Sequence, residues 1–294
     1  MARVASTSVP ESGVIEPGAP VRRPVTPTRV IAVDGTQVRD RPDRLVTEEP
    51  MEIRLQFPGA EPEPLAVTMR TPGHDFELAV GFCVTEGLLG QPTSLAEVAY
   101  CVGETGEQHY NVVTLRLRHT IDLGPRRSFA VNASCGLCGK TALDDVAVAC
   151  EPVGPGPRVS RSVLAGLPRL LRDSQPLFDE TGGLHAAASF TPEGELRVLR
   201  EDIGRHNALD KVVGNAFLEG TLPLSTSVLL VSGRISFEIV QKAAVAGIPV
   251  LCAVSAPSSL AVTAAKRFGQ TVVGFLRDDR MNVYAGVERL DLDT

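Results

Sequence analysis

From residue 51 to 57 apolar and polar side chains alternate: Met51, Ile53, Leu55 and Phe57 fall on one face of an extended chain, Glu52, Arg54 and Gln56 on the other. Leu65, Val67 and Met69 repeat that period after a Pro- and Gly-rich stretch, which predicts a hairpin with a long loop. Beyond Pro72-Gly73-His74 the period changes. Asp75 is placed to cap a helix whose Leu78, Ala79, Phe82 and Leu89 share a face, with His74-Asp75 read as the cap and Glu77 as a first-turn acid near the dipole. Val113, Leu115 and Leu117 mark another strand, and Phe129 to Val131 a short one. Leu143, Val146, Ala147 and Cys150 then recur at helical spacing.

Pro152 to Pro157 reads as a linker. After it come an amphipathic segment (Leu164, Leu167, Leu170, Leu171) and two strands, His185–Phe190 and Leu196–Arg200, joined at Pro-Glu-Gly. Strands at Val228–Val231, Val250–Val254 and Thr271–Phe275 alternate with helices at Phe237–Ala246 and Ser259–Phe268, the rhythm of a parallel α/β layer. Residues 1–28, rich in Pro and without a period, are expected to be a disordered tail. The class is therefore α/β (α+β overall), with a smaller β-rich N-terminal domain over 29–157 and an α/β domain over 158–294.

A chain of 294 residues with 43% apolar content can bury a core in each region. A net charge of −6 and the absence of Trp argue against a nucleic-acid binder. The N-terminus carries no charged patch followed by an apolar run, and the longest apolar stretch, Ala243 to Val254, is broken by Gly247 and Pro249. A soluble, cytoplasmic protein is expected, with no membrane partner. Six cysteines are too few for a secreted disulfide framework in a chain this long. Cys83, Cys101, Cys150 and Cys252 read as small core residues.

Cys135 and Cys138 differ, being set among Gly136 and Gly139 on a loop that feeds the predicted helix. Several chemistries suit the pair. A zinc half-site needs two more ligands, and no second Cys/His couple stands at finger spacing. A thioredoxin-type dithiol belongs in a small strand–helix unit near the chain start. A nucleophilic thiolate is favoured by a helix N-terminus and by Lys140, which lower a thiol's pKa, while the glycines leave room for a bulky partner. Two unreactive loop thiols remain the plain alternative.

Several segments together resemble the formate dehydrogenase accessory sulfurtransferase (FdhD) family. They are Thr71-Pro-Gly-His-Asp-Phe-Glu-Leu-Ala-Val-Gly-Phe82, Asn132-Ala-Ser-Cys-Gly-Leu-Cys-Gly-Lys140 and Thr181-Gly-Gly-Leu-His-Ala-Ala-Ala188. Arg200-Glu-Asp-Ile-Gly-Arg-His-Asn-Ala-Leu-Asp-Lys-Val-Val-Gly214 and Ser232-Gly-Arg-Ile-Ser-Phe-Glu-Ile-Val-Gln-Lys242 continue the series. The resemblance implies a sulfur carrier that takes persulfide sulfur from a cysteine desulfurase. It passes that sulfur to the molybdenum cofactor, bis-molybdopterin guanine dinucleotide, before the cofactor enters the catalytic subunit of formate dehydrogenase. It implies a homodimer with a cytidine-deaminase-like α/β domain, Cys135 as persulfide carrier and Cys138 as its companion. The cofactor is substrate, GDP can mimic its ends, and no tightly held metal is implied. A non-catalytic cofactor chaperone and a zinc-binding module are the rivals. Deamination itself is not supported, because Ala186 and Ala187 follow His185 where a zinc deaminase carries its Glu.

In an open α/β layer, ligands gather beyond the carboxyl ends of the strands. Ser232, Gly233 and Arg234, then Ser255 and Ala256, then Phe275, Leu276, Arg277, Asp278, Asp279 and Arg280 should lie on that edge. Their amides and arginines suit a diphosphate and a guanine, and by resemblance Phe275 to Arg280 is the cofactor segment. Asp202, Arg205 and His206 end one strand and open a helix with Asn207, Asp210 and Lys211, which reads equally as a ligand edge or as a salt-bridged helix start. His185 after Gly182 and Gly183 is a further candidate, against an ordinary interior histidine.

Overall fold

The computed structural model describes residues 3–4, 23–102, 108–121, 129–130 and 152–293. Its N-terminal part contains β1 (Arg3–Val4), β2 (Val25–Asp34), β3 (Gln37–Val46), β4 (Glu49–Gln56), β5 (Glu63–Arg70), α1 (Asp75–Thr85), β6 (Leu95–Val102), β7 (Gln108–Leu117) and β8 (Phe129–Ala130). Six of these strands form one sheet in the order β1-β6-β7-β4-β5-β8, while β2 and β3 form a separate ribbon. Of the expected tail, residues 1–2 and 5–22 lie outside the described residues, Arg3–Val4 form β1 against β6, and Val25 to Thr28 belong to β2.

The alternation on β4 is realised: Met51, Ile53 and Leu55 are buried. On β5 the buried set is the opposite of the apolar one. Ala66, Thr68 and Arg70 face inward, whereas Val67 is 48% exposed. The pairing of Met51 with Thr68 and Ile53 with Ala66 fixes this register. Polar side chains can take the inner face because they meet partners there: Thr68 Oγ1 donates to Asn207 Oδ1 at 3.3 Å, and Arg70 forks onto Asp75 at 3.0 and 2.9 Å. Asp75 is thus the first helical residue and an ion-pair partner, not the cap, while His74 takes the cap position in the left-handed region with φ 56°.

The C-terminal part contains β9 (Val159–Ser160), α2 (Arg161–Asp173), α3 (Pro176–Thr181), β10 (His185–Phe190), β11 (Leu196–Asp202), α4 (Arg205–Leu218), β12 (Val228–Val231), α5 (Phe237–Val245), β13 (Val250–Ala253), α6 (Ser259–Arg267), β14 (Thr271–Arg277), β15 (Arg280–Ala285) and β16 (Leu290–Asp291). Its main sheet has the order β11-β10-β12-β13-β14-β15. Only β12, β13 and β14 run parallel; β10, β11 and β15 are antiparallel to their neighbours. The layer is mixed rather than parallel because the links between β10 and β11 and between β14 and β15 are too short for a crossover. The expected loop from Phe275 to Arg280 is accordingly a hairpin, with β14 running on to Arg277 and Asp278-Asp279 turning the chain.

Both faces of this sheet are covered. Ala188, Phe190, Leu230 and Cys252 pack with Leu164, Leu167 and Leu171 of α2. Ala187, Leu229, Val231 and Leu251 on the other face join a cluster that also holds Val212 of α4, Leu78 of α1 and Met51 of β4. One apolar core therefore runs from the N-terminal sheet through two helix layers into the C-terminal sheet.

Within that core α1 and α4 touch backbone to backbone. A Cβ on Gly81 would lie 1.8 Å from the Asp210 carbonyl oxygen, and one on Gly214 would lie 1.8 Å from that of Glu77. No side chain fits at either position. Charged side chains brace the crossing. Glu77 receives Arg200 at 2.5 and 2.7 Å and Asn215 Nδ2 at 3.1 Å. Lys242 meets both Asp210 oxygens at 3.0 Å and Thr85 Oγ1 at 2.8 Å. Glu77 is therefore an interhelix anchor rather than a free first-turn acid.

Gly81→Ala and Gly214→Ala should each cost about 3 kcal/mol or more in urea unfolding, since the methyl meets unyielding backbone; a loss under about 1 kcal/mol would refute the close crossing. Burial pushes the Glu77 carboxyl up, but Arg200 and His74 pull it down further, to about 2 from an ordinary 4.5. A lowered folded pKa gives stability that is present above about 4.5 and is lost as pH falls toward about 2. Glu77→Gln should be destabilised at neutral pH by about 1–3 kcal/mol, with the gap to the parent closing across that window when unfolding is followed against pH.

Candidate functional site

The loops that follow β12 and β13 and the bulge in β14 are stitched into one rim. Val254 N donates to Val231 O at 3.3 Å, Ile235 N to Ala256 O at 3.1 Å, Ser258 N to Ile235 O at 2.9 Å and Phe275 N to Ser255 O at 3.1 Å. Each helix that leaves the rim starts on a serine: Ser236 Oγ accepts from Ile239 N and Ser258 Oγ from Ala261 N. Ser232, Gly233, Arg234 and Phe275 thus share the carboxyl edge of the sheet.

Their local roles differ. Ser232 Oγ accepts from Ala186 N at 2.9 Å, and its own N–H donates to Ala186 O, so this hydroxyl prolongs the pairing of β10 with β12. Gly233 lies under two cationic or basic groups: a Cβ there would sit 3.4 Å from His185 Nδ1 and 3.4 Å from Arg205 Cδ. Arg234 is exposed. His206 Nε2 lies 3.2 Å from Ser236 Oγ and 2.9 Å from Glu238 Oε2. A Ser–His–acid relay needs the serine and the acid on different ring nitrogens. Here both meet Nε2, so His206 fastens the start of α5 to α4 and Ser236 is not an activated nucleophile. The hydrogen bond from His206 lowers the Glu238 carboxyl pKa against the opposing effect of burial.

The polar run at the start of α4 divides into two groups. Asp202 is fully buried and accepts from Lys211 at 2.7 Å, Thr71 N at 3.1 Å, Gly204 N at 2.8 Å and Asn207 Nδ2 at 2.9 Å. Asp202, Asn207 and Lys211 therefore belong to a salt-bridged helix start. Arg205 does not: its Nε is buried with no hydrogen-bond partner among the described residues. An unpaired buried guanidinium nitrogen costs free energy unless an acceptor arrives. Beside it, burial foremost and then the charges of Arg205 and His206 lower the His185 pKa, with Asp202 opposing them. A neutral imidazole, an arginine and a glycine-floored space form an anion-accepting corner next to the rim.

Phe275 closes the other end. Its φ of 53° is a left-handed conformation that a bulky residue rarely adopts. The bulge turns Leu276 into the core while leaving Phe275 44% exposed. Strain at an exposed aromatic, held by the Ser255 bond, is a mark of a functional position. Arg277 and Arg280 pair across the turn, and Asp278 also has positive φ, 47°. This tip extends past the last residue of β13.

Cys135 and Cys138 lie outside the described residues, as does the helix expected beyond them. Of the other cysteines, Cys83 and Cys252 are buried as expected, and burial raises both thiol pKa values, that of Cys252 to about 12. Cys101 is a correction, being only partly buried on β6. Among the described residues no three His, Cys, Asp or Glu side chains gather as a metal site. Sequence reasoning names Arg205 among the polar residues of this helix start but cannot set it apart from them: an arginine there looks like any other until its partner is sought and not found.

Comparison with known proteins finds relatives of this chain. The model of the FdhD/NarQ family matches residues 46–291. Sulfur carrier protein FdhD of Streptomyces avermitilis is 54% identical over 272 residues, 90% of this chain and 95% of that one. The protein of the same name from Mycobacterium tuberculosis is 47% identical, over 89% of this chain and 97% of its own. Among solved structures, a formate dehydrogenase accessory protein from Desulfotalea psychrophila aligns with a TM-score of 0.69 at 22% identity, covering 92% of this chain and 100% of that one. That likeness speaks for the fold.

If Phe275 is strained, Phe275→Gly should stay within about 1 kcal/mol of the parent in urea unfolding, because relief of φ offsets the lost ring contacts. Leu276→Ala, next to it but buried, should cost about 3 kcal/mol. Equal losses would show that Phe275 is an ordinary packed residue.

Proposed function

Because this chain belongs to the FdhD/NarQ family, we propose that it is a sulfur carrier for formate dehydrogenase. It accepts sulfur from the persulfide of a cysteine desulfurase and passes it to bis-molybdopterin guanine dinucleotide. In the first step the Cys135 thiolate attacks the outer sulfur of the donor persulfide, the donor leaves as its own thiolate, and Cys135 becomes the persulfide. In the second, the Cys138 thiol attacks the inner sulfur of that persulfide. A Cys135–Cys138 disulfide forms, and the outer sulfur leaves as hydrosulfide at the waiting molybdenum, both electrons coming from the two thiols.

The observation that carries this reading is the chain's likeness, at 47–54% identity, to relatives named sulfur carrier protein FdhD, together with its glycine-flanked Cys135 and Cys138. Before that pair in sequence, Phe129 and Ala130 pair parallel with Ala66 and Val67 on the course of β5. That course ends at Thr71, whose N–H donates to Asp202 three residues before Arg205. Cys135 stands five residues after Ala130, at most about 18 Å of chain. The corner made by Arg205, His185 and Gly233 is the proposed point of sulfur hand-over.

In that corner Arg205, with its unpartnered Nε, and the exposed Arg234 suit the diphosphate of a guanine dinucleotide. Neutral His185 adds a hydrogen-bonding group without a second positive charge. Phe275 offers a ring face for a guanine, and the backbone amides around Gly233 can come close to a phosphate because no side chain intervenes. The hairpin from Arg277 to Arg280 borders the same edge and would extend the contact.

Incubation with a persulfidated desulfurase should add the mass of one sulfur atom to Cys135, and Cys135→Ala should abolish activation of formate dehydrogenase. Full activation by Cys135→Ala would instead support a cofactor chaperone without sulfur chemistry. GDP affinity measured by calorimetry should fall about tenfold in Phe275→Gly, the worth of one stacking contact, and Arg205→Gln should weaken GDP more than guanosine.

A further inference from the structure

A cavity lies at the end of the C-terminal sheet opposite the rim. Between the last turns of α4, the β10–β11 hairpin and the segment 221–226 there is a cleft of about 360 Å³. Ser189 on its wall pairs with Leu229 near the start of β12, whereas the rim described above follows that strand's end. A cleft of this size is within the range of small-molecule sites.

Its walls are mostly aliphatic: Val198, Val212, Ala216, Pro223 and Leu224. Most polar groups around it are already engaged. Asn215 Nδ2 donates to Glu77, Thr221 Oγ1 donates to Ala216 O at 3.2 Å, and Arg197 Nη1 donates to Ser227 Oγ at 3.3 Å. Ser189 is the exception. The residue is 3% exposed, and its hydroxyl has no partner among the described residues. A buried hydroxyl without a partner is destabilising and rare, and a ligand that bonds it removes the penalty.

The two charged residues of the cleft stand on different walls, Arg197 on β11 and Glu219 just past the end of α4. The carbonyl end of α4 adds partial negative charge on the Glu219 side. We propose that the cleft binds a small zwitterion with an aliphatic body, the chemical class of the apolar α-amino acids. Its carboxylate meets the Ser189 hydroxyl and the Arg197 guanidinium, its ammonium lies at Glu219 and the α4 carbonyls, and its side chain packs on Val198, Val212 and Leu224. This site is independent of the sulfur chemistry proposed for the opposite edge.

The test is calorimetric titration of the full chain with three probes of one shape: L-leucine, 4-methylpentanoate and 3-methylbutylamine. L-Leucine should bind saturably at millimolar concentration, and each analogue that lacks one charge should bind about fivefold more weakly or worse. Ser189→Ala should weaken L-leucine about fivefold while the unliganded protein melts at the same or a higher temperature, because the change deletes an unsatisfied hydroxyl. Arg197→Gln, at the exposed rim, should weaken L-leucine and 4-methylpentanoate but not the amine. The proposal fails if L-leucine does not saturate, if the three probes bind alike, or if both variants bind L-leucine as the parent does.

Discussion

The bare backbone contact between α1 and α4 holds the two sheets of this protein in one core, because neither helix has another way to bury both of its faces. Nine residues of the eleven-residue α1 are buried. A helix with sheet on one side and helix on the other cannot be amphipathic, and Gly81 and Gly214 are the cost of bringing the axes so near. Close approach also leaves no water to solvate charge. Glu77, Asp210 and Lys242 are tolerated there because each meets an opposite charge with further hydrogen bonds. Break one and the remaining charge is stranded; that asymmetry gives the crossing its specificity.

The same contact sets the candidate site. Asp202 ends β11 and accepts from Thr71, Gly204, Asn207 and Lys211, so a single carboxylate ties the end of β5 to the start of α4. Arg205 and His206 are carried on the first turn of that helix. β8, the last described strand before the cysteine pair in sequence, lies beside β5. Geometry at the rim is therefore inherited from the N-terminal sheet as much as from the strands whose ends form it. A shift of α1 against α4 would move the end of β5 relative to Arg205.

Much of the fold was legible because its periods are clean. The strands near 228, 250 and 271 and their helices were found to within a residue or two at most ends, since buried parallel strands are short apolar runs that glycine and proline punctuate. β5 was misread by one residue because its inner face carries Thr68 and Arg70, whose partners Asn207 and Asp75 cannot be foreseen from alternation. The ribbon of β2 and β3 was missed although Asp34-Gly35 at its turn is a hairpin signal, Gly35 having φ 59°. Its strands have no buried face, and neither VTPTRVIAVD nor QVRDRPDRLV alternates polar with apolar, so the period that marks a strand was absent. β15 was hidden for a related reason, as the Arg-Asp-Asp-Arg run reads as a loop and forms a tight turn. At the site, segments 232–234 and 275 were placed on the right edge by the rule for strand ends. The separation of Arg205 from its salt-bridged neighbours needed coordinates.

That separation distinguishes scaffold from site in physical terms. Around Asp202, Asp210 and Glu77 every buried charge has at least two partners, and such networks rigidify without offering anything to a ligand. Arg205 Nε, the Ser189 hydroxyl and the φ of Phe275 are the opposite case, since each leaves free energy unrecovered in the unliganded chain. A core that satisfies three dense ion clusters is plainly able to satisfy one more nitrogen. Where it has not, the missing partner is most simply a molecule from outside. Two of these three defects, Arg205 and Phe275, belong to the carboxyl edge of the sheet. The third lies alone at the far end, and the cleft beside it is where a different ligand would repair it.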